Sequence, residues 1–345
     1  MRGLLIVNPR ATTTSQRVTD ILIDAFSREV ELDVVETEYR GHGFELGRAS
    51  CGEVDVVITL GGDGIIHEVV NGMLFDGPGP QVPVLAPVPG GSGNVFARAL
   101  GIPAPPVEAT GHLVQALRAR RFRSIGLGQV RELSSQGDPI GQVRWFTANA
   151  GLGLDAEVIA AMEQQRAAGA IATPGRYLQT TLQTWLRGVD RDHPRLHLTG
   201  PDGRALDDVF LAIVQNTSPW TYFGSIPINP NPDADVDRGL YVFALRSLSA
   251  LTTARAVTQM LTARTEGRTR LLPGLAWGLT GGRPAPASAN DHANANANAI
   301  VRWADLTDLT VRADSPVAVQ IDGEFVGQGF GATFHAVAHA LRVAC

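Results

Sequence analysis

Two short glycine-rich segments carry most of the chemistry this sequence can do. The first is Gly61-Gly62-Asp63-Gly64 and the second is Gly90-Gly91-Ser92-Gly93-Asn94. Glycine removes the side chain where backbone must approach a ligand closely, and it accepts dihedrals that other residues avoid. Each segment precedes a helix-like stretch, whose start offers unpaired N–H groups and a positive dipole end to an anion such as phosphate. Ser92 and Asn94 add hydroxyl and amide groups able to hydrogen-bond phosphate or sugar. Asp63 is out of place in a simple anion cradle, because its charge repels phosphate unless a cation lies between. That points to a Mg²⁺-bound nucleotide. The alternative is that Asp63 caps the helix after it. A third segment, Asp322-Gly323-Glu324, joins two carboxylates through a strong turn signal, and its plainest reading is a β-hairpin turn.

The flanking residues say how the two loops are held. Apolar, strand-like runs at 54–60 and 82–86 lead into them, and helical spacing follows at 65–74 and 92–100. In a parallel sheet both loops leave the carboxyl ends of strands on one edge, where ligands of open α/β folds bind. A short strand at 4–7 closes on Asn8-Pro9, a helix is expected at 17–28 and a strand at 31–37. Apolar strands alternating with helices predict a parallel sheet covered on both faces. From about residue 124 the pattern changes to more antiparallel strands, at 143–149, 195–198, 209–215, 240–245, 306–312 and 317–321. Helices are expected there at 156–166, 175–187 and 249–262. The Asn/Ala-rich segment 288–299 reads as a mobile loop. The expected fold class is therefore an α/β N-terminal nucleotide-binding domain with a parallel sheet, over 1–124, followed by a β-rich domain over 125–331.

Composition narrows the function. A chain of 345 residues suits two domains, and 44% hydrophobic with 18% charged residues suits a well-packed protein. No apolar run approaches the roughly 20 residues of a spanning helix, and the apolar opening at 1–7 is too short for a secretory signal, so export is not expected. The net charge of −5 argues against a broad nucleic-acid partner. Cys51 and Cys345 offer no disulfide framework and suit a reducing cytosol. All 29 basic residues are arginine. Without lysine, a Walker-A loop, a protein-kinase site and a pyridoxal-phosphate Schiff base are all disfavoured. Arginine still clamps phosphate bidentately.

Taken together, Val7-Asn8-Pro9, the first glycine loop with His67-Glu68-Val69-Val70-Asn71-Gly72, and Pro89-Gly90-Gly91-Ser92-Gly93-Asn94-Val95-Phe96-Ala97-Arg98 resemble the diacylglycerol kinase catalytic family. That family includes bacterial lipid kinases and sphingosine kinases. The stretches 149–155, 229–240 and 319–324 also resemble family landmarks, so the likeness extends over nearly the whole chain. It implies an ATP-binding α/β domain, a sandwich-like β domain and an active site in the cleft between them. It also implies that 332–345 returns to complete the first domain. Carried over, Asn8, Gly61, Gly62, Gly64, Glu68, Gly90, Gly91, Ser92, Gly93 and Asn94 become nucleotide-binding residues. Asp63 becomes a catalytic residue and Mg²⁺ ligand, and Glu324 the general base. The implied activity is ATP- and Mg²⁺-dependent phosphorylation of a lipid hydroxyl by a cytoplasmic enzyme that visits the membrane surface transiently. A carboxylate in reach of an alcohol can take its proton as attack develops, which suits Glu324.

The sequence departs from the family at Ile65, where threonine is common, at Val95, where aspartate is frequent, and at Tyr241, which follows Leu240 where a second acid is often found. Two alternatives compete with a lipid kinase. One is an NAD kinase-like enzyme, which shares the first loop, and the other is a non-catalytic nucleotide or lipid sensor. The remaining features read as ordinary structure or stay evenly balanced. His193/His197 and His335/His339 lack a third metal ligand. Arg118, Arg120, Arg121 and Arg123 suit a solvated helix end better than a lipid-docking patch. Trp220, Tyr222 and Phe223 fit core packing as well as an acyl-chain entrance.

Overall fold

A computed structural model describes residues 1–11, 15–154, 156–157, 159–160, 194–262 and 299–345. The expected helix at 175–187, most of the helix expected at 156–166, most of the loop expected at 288–299, and His193 lie outside the described residues. The N-terminal part alternates β1 (Arg2–Val7), α1 (Gln16–Ser27), β2 (Glu31–Glu36), α2 (His42–Ala49), β3 (Val56–Gly61), α3 (Asp63–Met73), β4 (Val84–Pro89), α4 (Val95–Ala99) and α5 (Pro106–Arg118). The strands pair in parallel in the order β2-β1-β3-β4. Val56, Val57, Ile58, Leu85 and Ala86 have no exposed surface, because helices cover both faces of the sheet.

The helices pack as pairs, α1 with α5 and α2 with α3. The second pair is unusually close. A Cβ on Gly47 would lie 2.4 Å from the Val69 carbonyl oxygen, and one on Gly72 would lie 2.1 Å from that of Phe44. Only glycine lets the two backbones meet there.

Beyond α5 the chain is strand-rich, as its alternation suggested. It contains β5 (Phe122–Leu133), β6 (Pro139–Phe146), β7 (Asn149–Gly153), β8 (Leu196–Thr199), β9 (Ala205–Val209), β10 (Leu211–Gln215), β11 (Thr221–Phe223), β12 (Ile226–Ile228), β13 (Leu240–Leu245), α6 (Ala250–Thr262), β14 (Ile300–Leu306), β15 (Asp308–Ile321) and β16 (Glu324–Ala344). These pair antiparallel, with β7 between β10 and β15. The single strand expected at 143–149 is two, β6 and β7, parted at Thr147 and Ala148. The two expected at 306–312 and 317–321 fall largely in one long strand, β15, irregular between Arg312 and Val317.

Strand β16 ties the parts together. Its first half pairs with β15, its second half with β5, and Val343 pairs in parallel with Leu85 of β4. The C-terminal residues thus extend the parallel sheet, and the hairpin between β15 and β16 is anchored at both ends. No described helix is long and apolar enough to cross a membrane.

Candidate active site

The register of the parallel sheet brings the two glycine loops together. Gly61 at the end of β3 aligns with Pro89 at the end of β4, and the Gly90 N–H donates to the Gly61 carbonyl at 2.7 Å. A Cβ on Gly90 would lie 2.9 Å from the Gly61 Cα, and one on Gly91 2.5 Å from the Gly62 Cα. The loops touch backbone to backbone, and no larger residue could keep them so close. Asn8, at the end of β1, stands beside them, with its Cβ 3.3 Å from where a Gly61 Cβ would be. Its Oδ1 accepts from the Arg10 N–H at 3.0 Å. Ser92 is exposed at the tip of the second loop. The result is a backbone-lined cradle at the start of an 11-residue helix, α3, which suits the phosphates of a nucleotide.

Three side chains of the expected site are engaged within the fold. Asp63 Oδ2 accepts from the Val95 N–H at 3.0 Å and its Oδ1 from the Phe96 N–H at 3.1 Å. It caps α4 across the loops rather than its own helix, and so staples one loop to the other. Burial pushes its carboxyl above the ordinary range, the two N–H donors oppose this, and the Asp322 charge adds to it. Glu68 oxygens accept from the Gly41 and Gly43 N–H groups at 2.9 and 3.0 Å. It caps the start of α2. Asn94 has left-handed backbone, φ 50°, and folds back on its own loop. It accepts from the Gly91 N–H at 2.8 Å and donates to the Gly91 carbonyl at 2.7 Å.

Asp322 and Gly323 form the two-residue turn between β15 and β16, with φ of 49° and 82°, the combination that favours Asp-Gly in tight hairpins. The Asp322 side chain has no exposed surface. Its carboxylate collects the N–H groups of Thr147, Ala148 and Asn149 at 2.8–3.1 Å, the Thr147 hydroxyl at 3.2 Å and His67 Nδ1 at 3.0 Å. This explains why β6 and β7 part where they do: the N–H groups at the break are turned onto Asp322. Gln320 Nε2 donates to Asn149 Oδ1, and Gln320 Oε1 accepts from the Gly323 N–H, both at 2.9 Å. Burial lowers the proton affinity of His67, but the Asp322 hydrogen bond and charge, helped by Glu324, outweigh it and shift it upward overall.

Glu324 is the carboxylate this hairpin delivers to the cradle. Its Oε1 lies 2.8 Å from where a Gly64 Cβ would be, and its Oε2 accepts from Arg40 Nη2 at 3.1 Å. Glu324 thus brings an acidic side chain of the β-rich part to the first glycine loop. Sequence reading missed Arg40 and the role of Asp322. Arg40 carried no motif signal, while Asp322 was visible only as a turn residue.

The departures noted in the sequence have local accounts. Ile65 is buried, and Cβ atoms on Gly43 and Gly61 would lie 2.6 and 2.5 Å from its branches, so packing occupies the position of a hydroxyl. Val95 supplies an N–H to Asp63. The Tyr241 hydroxyl donates to Asp305 Oδ1 at 2.9 Å, and burial followed by that bond pushes its pKa up to about 12.

Elsewhere, Arg118 pairs with Glu29 and Arg123 with Asp237, as a solvated surface would. His197 lies between Asp207 and Asp314, and His335 beside Asp308. Trp220 packs in a small apolar cluster, and the Tyr222 ring lies under the Arg98 guanidinium, 3.2 Å from its carbon. The Phe223 side chain lies outside the described residues. No group of three or more His, Cys, Asp or Glu among the described residues is arranged to hold a metal ion.

Residues 2–130 match the model of the diacylglycerol kinase catalytic domain. That segment is thus similar to the diacylglycerol kinase catalytic domain. Sphingosine kinase 1 of Homo sapiens is 34% identical over 109 residues, covering 29% of this chain and 27% of that protein. A diacylglycerol kinase of Bacillus subtilis (strain 168) is 51% identical over 55 residues, 16% of this chain and 17% of that protein. The matched part therefore spans less than a third of either relative's length. A solved structure described as a diacylglycerol kinase from Bacillus anthracis str. Sterne superposes with a TM-score of 0.65 at 17% identity, over 99% of this chain and 96% of that one. The matched family segment holds both glycine loops and Arg40, while the hairpin with Glu324 lies outside it.

Proposed function

We propose that the chain is a lipid kinase that transfers the terminal phosphoryl group of ATP to the hydroxyl of diacylglycerol or a related lipid alcohol. The observation that carries this reading is the placement of Glu324 over the start of α3, beside the paired glycine loops. In this reading Gly61, Gly62, Gly64, Gly90, Gly91 and Gly93 admit the phosphates to the backbone, with Asn8, Ser92 and Asn94 at the rim. Asp63 and Glu68 position the loops and α2. Glu324 takes the alcohol proton as the oxygen bonds to phosphorus, and the bond from that phosphorus to the bridging oxygen breaks to release ADP. Alignment and charge neutralisation supply most of the acceleration. Mg²⁺ would arrive on the nucleotide, held mainly by phosphate oxygens and water, since Mg²⁺ needs few protein ligands.

The reading also assigns 1–124 with 332–345 to the nucleotide and 125–331 to the lipid. It makes the protein cytoplasmic, with transient contact at the membrane surface where its substrate lies.

The test is phosphate transfer from γ-labelled ATP with Mg²⁺ to diacylglycerol, sphingosine, phosphatidylglycerol and NAD in mixed micelles. Labelled lipid is expected, with turnover down about 10²–10⁴-fold in Glu324→Gln at similar ATP affinity. Labelling of NAD alone would replace the lipid reading, and ATP binding without transfer to anything would favour a sensor.

A further inference from the structure

We propose that Arg40 is a further catalytic residue, whose guanidinium serves Glu324 and the transferred phosphoryl group together. The inference rests on the lipid-kinase reading and names a residue of the same site. Glu324 spans the gap between the start of α3 and Arg40, one oxygen over Gly64 and the other on Arg40 Nη2. Through Glu324, Arg40 is tied to the helix start that would cradle a phosphoryl group.

The chemistry at that point requires a cation. An ionised base and the phosphoryl oxygens repel each other, and charge on those oxygens has to be stabilised as transfer proceeds. With no lysine in the chain, that cation is an arginine, a metal ion or a helix terminus. Arg10, two residues after Asn8, is the rival candidate, while Arg98 stacks on Tyr222 and Arg144 pairs with Glu132 at 3.5 Å. The planar fork of a guanidinium has enough donors to hold a carboxylate and a phosphoryl oxygen at once.

Arg40 is also mounted for this. Its neighbours are fixed: Gly41 and Gly43 are held by Glu68, Tyr39 stacks on His42 at 4.8 Å, and the Tyr39 hydroxyl donates to Glu45 at 2.6 Å. The Arg40 side chain itself is 68% exposed, against 27% for Glu324. An ion pair this exposed is worth little, so the pair with Glu324 does not by itself hold the guanidinium away from phosphate.

The experiment measures ATP and ADP affinity by calorimetry, without lipid, for the full chain and for Arg40→Ala, Arg40→Lys and Arg10→Ala. Thermal melts confirm folding. Wild type is expected to bind ATP more tightly than ADP. Arg40→Ala should lose about tenfold in ATP affinity while ADP affinity stays within about twofold. Turnover should fall about 10²–10³-fold, in the range seen when a donor to transition-state charge is removed. Added guanidine should restore part of it, and Arg40→Lys should restore less than the native fork. Equal ATP and ADP losses would make Arg40 merely structural and overturn the proposal. So would loss of the ATP preference in Arg10→Ala with Arg40→Ala unchanged. If wild type phosphorylates no lipid, the substrate reading fails, yet the nucleotide comparison still decides the role of Arg40.

Discussion

The glycine loops and the Asp322-Gly323 hairpin face each other, but they are built on opposite principles. The loops work through side chains they lack: Gly90 and Gly91 rest on Gly61 and Gly62, and bare backbone faces bare backbone. The hairpin works through carboxylates, one buried and fully engaged by backbone donors, the other delivered to the cradle. A site made of absent side chains fails by steric intrusion. One made of buried charge fails by losing its partners, and that failure is the costlier.

Replacing Asp322 by Asn should show the larger effect. An amide cannot accept from every donor gathered there, and its NH₂ group faces N–H groups and the His67 ring. We expect a loss of about 3–5 kcal/mol in urea unfolding, the range for breaking a buried pair. A loss under about 1 kcal/mol would show that the hairpin is held by its strands and turn, without the carboxylate.

Gly91→Ala comes next. Its new Cβ would lie 2.5 Å from the Gly62 Cα, a backbone atom that cannot swing away. Overpacking predicts a cost of about 1–3 kcal/mol with loss of ATP binding. Retained ATP affinity would mean that the loops can part without harm.

His67→Gln is the smallest and joins the two regions, since His67 sits on α3 and meets Asp322. The His67 proton affinity is raised in the folded state, so its contribution is fully present below the unfolded value of about 6.5 and fades as pH rises through the folded one. The gap in urea-unfolding stability between wild type and His67→Gln should be widest below about pH 6.5 and narrow as pH rises above it. A gap that widens with pH would mean that the ring is held neutral.

Both loops, the strands feeding them and the helices after them were legible because each is local. Apolar run, glycines and helical spacing fall within a single stretch of chain. The strand break at Thr147 was not legible, because it depends on Asp322, 175 positions away. The working partners of Asp63 and Glu68 were hidden for the same reason: each side chain caps a helix other than its own.

By itself, then, the sequence determined where backbone could come close to a ligand, since glycine spacing fixes that within a few residues, and it determined that any permanently cationic side chain at the site is arginine. The tertiary structure alone decided which acids are spent on holding the fold and which one reaches the cradle. Carboxylates look alike in sequence, and only the donors that the fold brings to them, from distant strands and helix starts, separate Asp63, Glu68 and Asp322 from Glu324.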